Sequence, residues 1–433
     1  MGEKITGLTV VQGTAMYVGA VLGTGVIAVP ALAAQVAGPA SLLAWLCLVM
    51  ISVPLAATFA ALGARFPDAG GVSTYARLAF GERAAAVVGW CFFFAVPSGV
   101  TASALFAGSY VAEAAGGGRV TQVGTAVVLL TLVASTNWSG LRASGRVQCV
   151  LSGLLLLLVF GAVLLSAPMV DLANLEPFAP NGWTAVGPAA ALLVWSFAGW
   201  EAITHLAQEF GKPQRDLPRA VGYAVVIVAL LYLSVAFATV AVLGSEVNTH
   251  APLGELLSRA LGGNLKVFAA IAAVLLTAGS MNAYVAGGAK LGAALSRDGA
   301  FPRRLAVGSV RGEVPRRSLA LLVGLAFTVL VVVVVSGTGL NLLVLLTTGQ
   351  FIAVYVIGAA AAVRLLPRRS RARYTAVFAL VGVLVLLVVS GAVMVLPALV
   401  AVVALLFLRW NRRRRGLLDQ DGNLSSVELR RRA

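Results

Sequence analysis

One acidic residue lies inside an apolar run of membrane-spanning length: Glu201, in WSFAGWEAITHL. An ionisable group at that depth costs at least ~2.5 kcal/mol on insertion scales, so it faces the protein interior and does work there. His205 follows four residues later. On an α-helix that spacing places both side chains on one face, where they could share or relay a proton. The structural alternative is a Glu201 that hydrogen-bonds broken backbone and a His205 that packs. No further His, Cys, Asp or Glu accompanies the pair closely enough to complete a metal site, and no cofactor is implied.

A second chemistry belongs to glycine. The segment GAVLGTGVIAVP crowds Gly19, Gly23 and Gly25 ahead of Pro30, and WSFAGWE places Gly199 at a similar depth in a later run. Unwound backbone cannot face lipid, so it must line a cavity. There, free amides and helix N-termini bind a carboxylate while freed carbonyls accept an ammonium group. The head group of an amino acid meets both demands. The alternative is that these glycines only let helices pack closely.

Lys290 sits five residues before the end of its apolar run. It is expected to snorkel to the membrane interface and to serve a gate or anchor a loop. The motifs PDAGG (67–71) and RDGAFP (297–302) read as Asp-capped turns that brace that gate.

These residues need elements to hold them. Of the 433 residues, 60% are hydrophobic and 11% charged, against roughly 25% charged in soluble domains. Runs of spanning length cover 9–34, 40–64, 84–112, 120–138, 147–167, 185–206, 218–243, 265–295, 319–336 and 340–363. The stretch 374–408 is too long for one helix and divides near Ser390 and Gly391. The expectation is an all-α integral membrane protein with 12 transmembrane helices.

Charge placement supports that count. With a cytoplasmic N-terminus, 28 of the 32 Lys and Arg residues fall in cytoplasmic segments; only Arg119, Arg259 and Lys266 fall outside, and Lys290 within a span. A wrong helix count would scramble this asymmetry. The net charge of +16 therefore points to anionic membrane lipids rather than nucleic acid. Both termini are expected in the cytoplasm, in a cell (plasma) membrane. The glycine-interrupted runs open two matching sets of five helices, 9–167 and 185–363, which predicts a 5+5 inverted repeat. Two extra helices (374–408) complete a transporter domain over 1–411, and 412–433 is a basic, frayed tail. Cys47, Cys91 and Cys149 read as unpaired apolar residues. No cleavable signal peptide is evident.

Four segments resemble the amino acid–polyamine–organocation superfamily of transporters: GAVLGTGVIAVPALAAQVAGP, RFPDAGGVSTYARLAFGERAAAVVGW, FAGWEAITHLAQEFGKPQRDLPRA and GSMNAYVAGGAKLGAALSRDGAFP. Within it, LGTGVIAVPALA paired with FAGWEAITHLAQEF is most similar to the bacterial branch that exports L-methionine and branched-chain amino acids. The resemblance implies the LeuT-type fold, with the first and sixth spans forming the substrate site. Gly23, Thr24 and Gly25 match its carboxylate-binding segment, Phe197, Ala198 and Gly199 its second unwound stretch, and Trp200 a gate-like aromatic. Certain proton-coupled members carry a lysine in the fifth span; 147–167 has none, nor an acid. Thr277 and Ser280 offer the hydroxyls that a sodium site on the eighth span would use, or simply helix packing.

The expected pocket draws on Phe92, Phe93, Phe94, Trp195, Phe197 and Trp200 amid Ala, Val and Leu. With no charge besides Glu201, it suits methionine, leucine, isoleucine or valine. The reading is a secondary transporter working by alternating access in the export direction, with protons as a candidate coupling ion. An importer of the same fold and a membrane sensor without transport stand as rivals. An enzyme is disfavoured, because no nucleophile–base pair, metal cluster or phosphate loop occurs.

Overall fold

The computed structural model describes residues 7–23, 25–193, 196, 199–244, 252–262, 264–390 and 394–411. Thr24, Phe197, Ala198, Trp195 and the basic tail lie outside them. Apolar composition leaves backbone groups to pair within each segment, and the described residues are accordingly helical. The helices in order are α1 (Val10–Val21), α2 (Gly25–Ala37), α3 (Ser41–Arg65), α4 (Val72–Phe80) and α5 (Glu82–Ala114). Next come α6 (Arg119–Trp138), α7 (Leu141–Ser166), α8 (Val186–Leu193) and α9 (Pro213–Leu243). Then follow α10 (Pro252–Leu261), α11 (Leu265–Arg297), α12 (Arg316–Ser336), α13 (Leu340–Leu365), α14 (Arg371–Ser390) and α15 (Val395–Asn411). Eight helical stretches among the described residues are long and apolar enough to cross a membrane.

Two apolar runs are broken. The first divides into α1 and α2 around Leu22 and Gly23, after a capping box in which Thr9 and Gln12 satisfy each other's backbone donors. The second begins as α8 and resumes as a 3-10 helix, Ala202–Glu209. The sequence did not suggest the short helices α4 and α10.

Loops gather at two ends of the bundle. At the basic end, Leu8 meets Glu209, Asp68 meets Arg297, Arg77 meets Asp298, and Asn411 caps the Gly299 carbonyl. At the other end, Arg119 donates to the Val334 carbonyl, Asn174 to that of Ala241 and Asn181 to that of Val36. Between them, α5 and α11 run through the centre, and both are largely buried.

Candidate functional site

The two helix breaks touch. Gly199 has φ +138°, a conformation reserved for glycine, and a Cβ there would stand 2.8 Å from the carbonyl carbon and oxygen of Ala20 and from Val21 Cα. Backbone thus packs on backbone. Tyr232 of α9 ties the breaks together, its hydroxyl within 2.9 Å of the Val21 carbonyl and 2.7 Å of the Ser196 carbonyl. Trp45 packs on the Tyr232 ring at 4.9 Å.

Glu201 is fully buried beside this junction. Its Oε2 accepts from the Gly199 amide at 3.0 Å and from the Tyr355 hydroxyl, and its Oε1 accepts from Tyr284 at 3.0 Å. The Gly199 amide is also 3.0 Å from the Tyr355 oxygen. The carboxyl therefore both clasps the second break and reaches α11 and α13.

Glu201 and His205 do not share a face. Ala202–Glu209 is a 3-10 helix, in which four residues advance about 120° beyond a full turn rather than returning to the same side. His205 instead packs edge-on against Phe92, with ring centroids 4.3 Å apart, and against Gly71, where a Cβ would fall 2.4 Å from Nδ1.

A cavity borders the junction, lined by Ala20, Val21 and Gly23, by Val96, Gly99 and Ser103 of α5, and by Ser196. Ser280, Met281 and Tyr284 of α11 and Thr347 and Phe351 of α13 close it. A Cβ on Gly23 would meet nothing within 4 Å. Among the described residues, the lining carries hydroxyls and apolar groups but no charged side chain. Towards the basic end, Phe92, Tyr284 and Phe351 pack together with centroids 5.3 to 6.2 Å apart.

Several expected site residues are placed elsewhere. Phe92, Phe93 and Phe94 do not line the cavity: Phe92 packs beneath it, while Phe93 and Phe94 pack on Phe301. Side chains on one helix face in three directions, so consecutive residues cannot all point inward. Trp200 is buried against Tyr17 at 6.2 Å. Gly25 opens α2. Lys290 does not snorkel; it is 1% exposed, because Glu209 and two loop carbonyls satisfy its ammonium inside the protein.

Gly19 has a packing role. Its missing Cβ makes room for Gln148 of α7, whose Nε2 would be 1.9 Å away. Gln148 donates to the Ala15 carbonyl at 3.3 Å and accepts from Asn282 at 2.9 Å, and Asn282 in turn accepts from Asn137 and Ser144. This amide network stitches α1, α6, α7 and α11. Ser280 donates to the Thr277 carbonyl at 3.3 Å. The tyrosines 232, 284 and 355 and Gln148 escaped the sequence reading. Their signal was a hydroxyl or amide within an apolar run, which must find a partner when buried.

The loop motifs meet at the basic end. Asp68 accepts from the Gly70 amide at 2.8 Å and from both Thr74 and Arg297. Burial raises the Asp68 carboxyl pKa, but hydrogen bonds from Arg297, Thr74 and Gly70 outweigh it and hold the group below the usual range.

Among the described residues, interrupted helices meet over an uncharged cavity inside a helical, apolar bundle, which is the architecture of a membrane transporter. The "Amino acid permease" family model matches residues 8–411, and the chain belongs to that family, within the amino acid–polyamine–organocation superfamily. Over 416 residues it is 32% identical to the uncharacterized amino acid permease YecA of Bacillus subtilis, covering 95% of this chain and 97% of the relative. It is also 32% identical over 372 residues to the L-methionine/branched-chain amino acid exporter YjeH of Escherichia coli, covering 84% and 87%. Similarity to the branched-chain amino acid permease BcaP of Bacillus subtilis is 26% over 312 residues, with 67% of each chain covered.

Proposed function

We propose that this permease is a secondary transporter of methionine, leucine, isoleucine and valine, working by alternating access in the export direction. The observation that supports this most is the junction of the two breaks, Gly199 against Ala20 and Val21, beside a cavity whose described lining residues carry no charge. The zwitterionic head would lie along Gly23, Thr24 and Gly25 and along Phe197, Ala198 and Gly199, with Trp200 packed on Tyr17 behind the second break. The apolar side chain would extend between Val96, Met281 and Phe351. A charged side chain would lose its water without gaining a partner, which disfavours arginine and glutamate.

In this reading 12 spans form a 5+5 inverted repeat with two extra helices, and both termini are cytoplasmic. The basic end is then the cytoplasmic end, facing anionic lipids. Glu201 is the coupling group, because its bonds to Gly199, Tyr284 and Tyr355 join the break to α11 and α13. Gain of a proton would change those bonds and bias the transporter between its two open states. His205 is a secondary candidate for the proton route, and Lys290 belongs to the gate.

Direction follows the gradients, and an exporter meets high cytoplasmic substrate, so weak binding suffices. One methylene in an apolar pocket discriminates by only ~1–3 kcal/mol, so recognition is broad. Overproducing cells should hold less methionine and tolerate toxic methionine analogues better than parent cells. Greater sensitivity with faster uptake would establish an importer instead. Specific binding without any flux would establish a sensor.

A further inference from the structure

Glu209 lies just beyond the apolar run that holds Glu201, and it is 4% exposed. Its Oε1 is 2.6 Å from Lys290 Nζ, and both side chains are no more than 5% exposed. Its Oε2 accepts from the Gly312 amide at 2.9 Å, and its backbone carbonyl accepts from the Leu8 amide at 2.7 Å. Lys290 Nζ also donates to the carbonyls of Gly308 at 3.2 Å and Val310 at 3.0 Å. Arg311 and Gln208 add bonds between the same two segments, to the carbonyls of Phe210 and Ser309. One residue thus joins the chain before α1, through its backbone carbonyl, to α11 and the loop after α11, through its carboxylate, at the end of the helix that continues the second break.

The other ion pairs at this end differ in kind. Asp68–Arg297 and Arg77–Asp298 have side chains 17% to 34% exposed. Water and salt screen such pairs, and they contribute little each. A buried pair behaves otherwise. Separating it requires water to reach both charges, and removing one partner leaves the other uncompensated.

We infer that the Glu209–Lys290 pair is the lock of the cytoplasmic gate, and that its hydration is the step that opens the cavity to that side. This rests on the transport reading above. Ala202–Glu209 is continuous with the second break, so opening must swing Glu209 away from Lys290 and from residues 308–312. Glu209 touches no part of the cavity; it is a positioning residue. Closure at the cavity and closure at the basic end are coupled because one short helix carries Glu201 at its start and Glu209 at its end.

The test reads accessibility rather than flux. Ser280 lines the cavity, so Ser280→Cys, in a chain with Cys47, Cys91 and Cys149 replaced by Ala, reports water entering it. Inside-out vesicles are treated with a membrane-impermeant charged thiol reagent. Glu209→Gln and Lys290→Gln should each label about tenfold faster, as a minor open state of order 1% becomes more populated. The double variant Glu209→Gln/Lys290→Gln should label as fast as the singles, since it too lacks the ion pair that holds the gate. Should one single variant fail to insert, the other still makes the comparison with the double. Single variants that label at the parent rate, or a double that returns to it, overturn the lock, the latter by tracing the singles' effect to an unpaired buried charge. Labelling needs no substrate movement, so loss of the transport reading and loss of the lock are distinguishable.

Discussion

Replacing Gly199 with alanine perturbs the place where the two broken helices touch. Two costs arise. The φ of +138° suits glycine alone, and holding another residue in such a region costs about 1–3 kcal/mol. The new methyl would also stand 2.8 Å from Ala20 and Val21 backbone atoms, and overpacking of this kind costs a further ~1–3 kcal/mol. Backbone cannot rotate aside as a flexible side chain can. The breaks must therefore part by several tenths of an ångström. That strains the Tyr232 bridge, whose bonds of 2.9 and 2.7 Å span the two breaks, and it moves the backbone groups assigned to the substrate head. Equilibrium binding of radiolabelled leucine to purified protein, with thermal melting alongside, measures both effects. We expect at least a tenfold loss of affinity, about 1.4 kcal/mol, together with a lower melting temperature. Gly23→Ala is the control for stability, because its added Cβ meets open space; melting should be unchanged. A Gly199→Ala protein that melts normally and binds within twofold of the parent would refute the close-approach argument.

Tyr232→Phe removes the hydroxyl that reaches both the Val21 and Ser196 carbonyls; a lost buried partner costs ~1–3 kcal/mol, so binding should weaken while the fold survives, as affinity and melting assays would show. Glu201→Gln keeps the shape of the group that accepts from Gly199 and Tyr284 but not its titration. Gradient-driven transport in vesicles should vanish while exchange partly persists, and full proton-driven activity would dismiss the coupling role. Asp68 is held below the usual carboxylate range, so its stabilisation is complete above its unfolded value and is lost only as pH falls through the lower folded value. The pH dependence of melting between pH 5 and 8 should therefore owe nothing to Asp68, and Asp68→Asn should lower stability by the same amount across that window.

Long helices were legible in the sequence because an apolar run of spanning length has few other uses. The breaks were legible because glycines at matching depths have a backbone meaning. What failed was geometry that pattern alone does not carry. A pairing of Glu201 with His205 needs 3.6 residues per turn, and the 3-10 stretch Ala202–Glu209 turns them apart. The partner of Lys290, Glu209, lies outside any apolar run, so nothing in the sequence marks the two as neighbours. The short helices α4 and α10 have nine and ten residues, too few to form a run of spanning length. Phe92 to Phe94 match a pocket by residue type alone, and their rings are the packing beneath and beside the cavity. The tyrosines that tie the breaks to α9, α11 and α13 resemble ordinary packing residues until each hydroxyl is asked for its partner.

The central claim is that the junction at Gly199 passes apolar amino acids across the membrane by alternating access. Counterflow in proteoliposomes tests it most directly. Vesicles containing the purified protein are loaded with unlabelled methionine and diluted into a trace of labelled methionine. A transient accumulation of label is expected, competed by leucine, isoleucine and valine but not by arginine or glutamate, and lost in Gly199→Ala. Absence of counterflow in folded protein that binds methionine, or equal competition by arginine and glutamate, would contradict it.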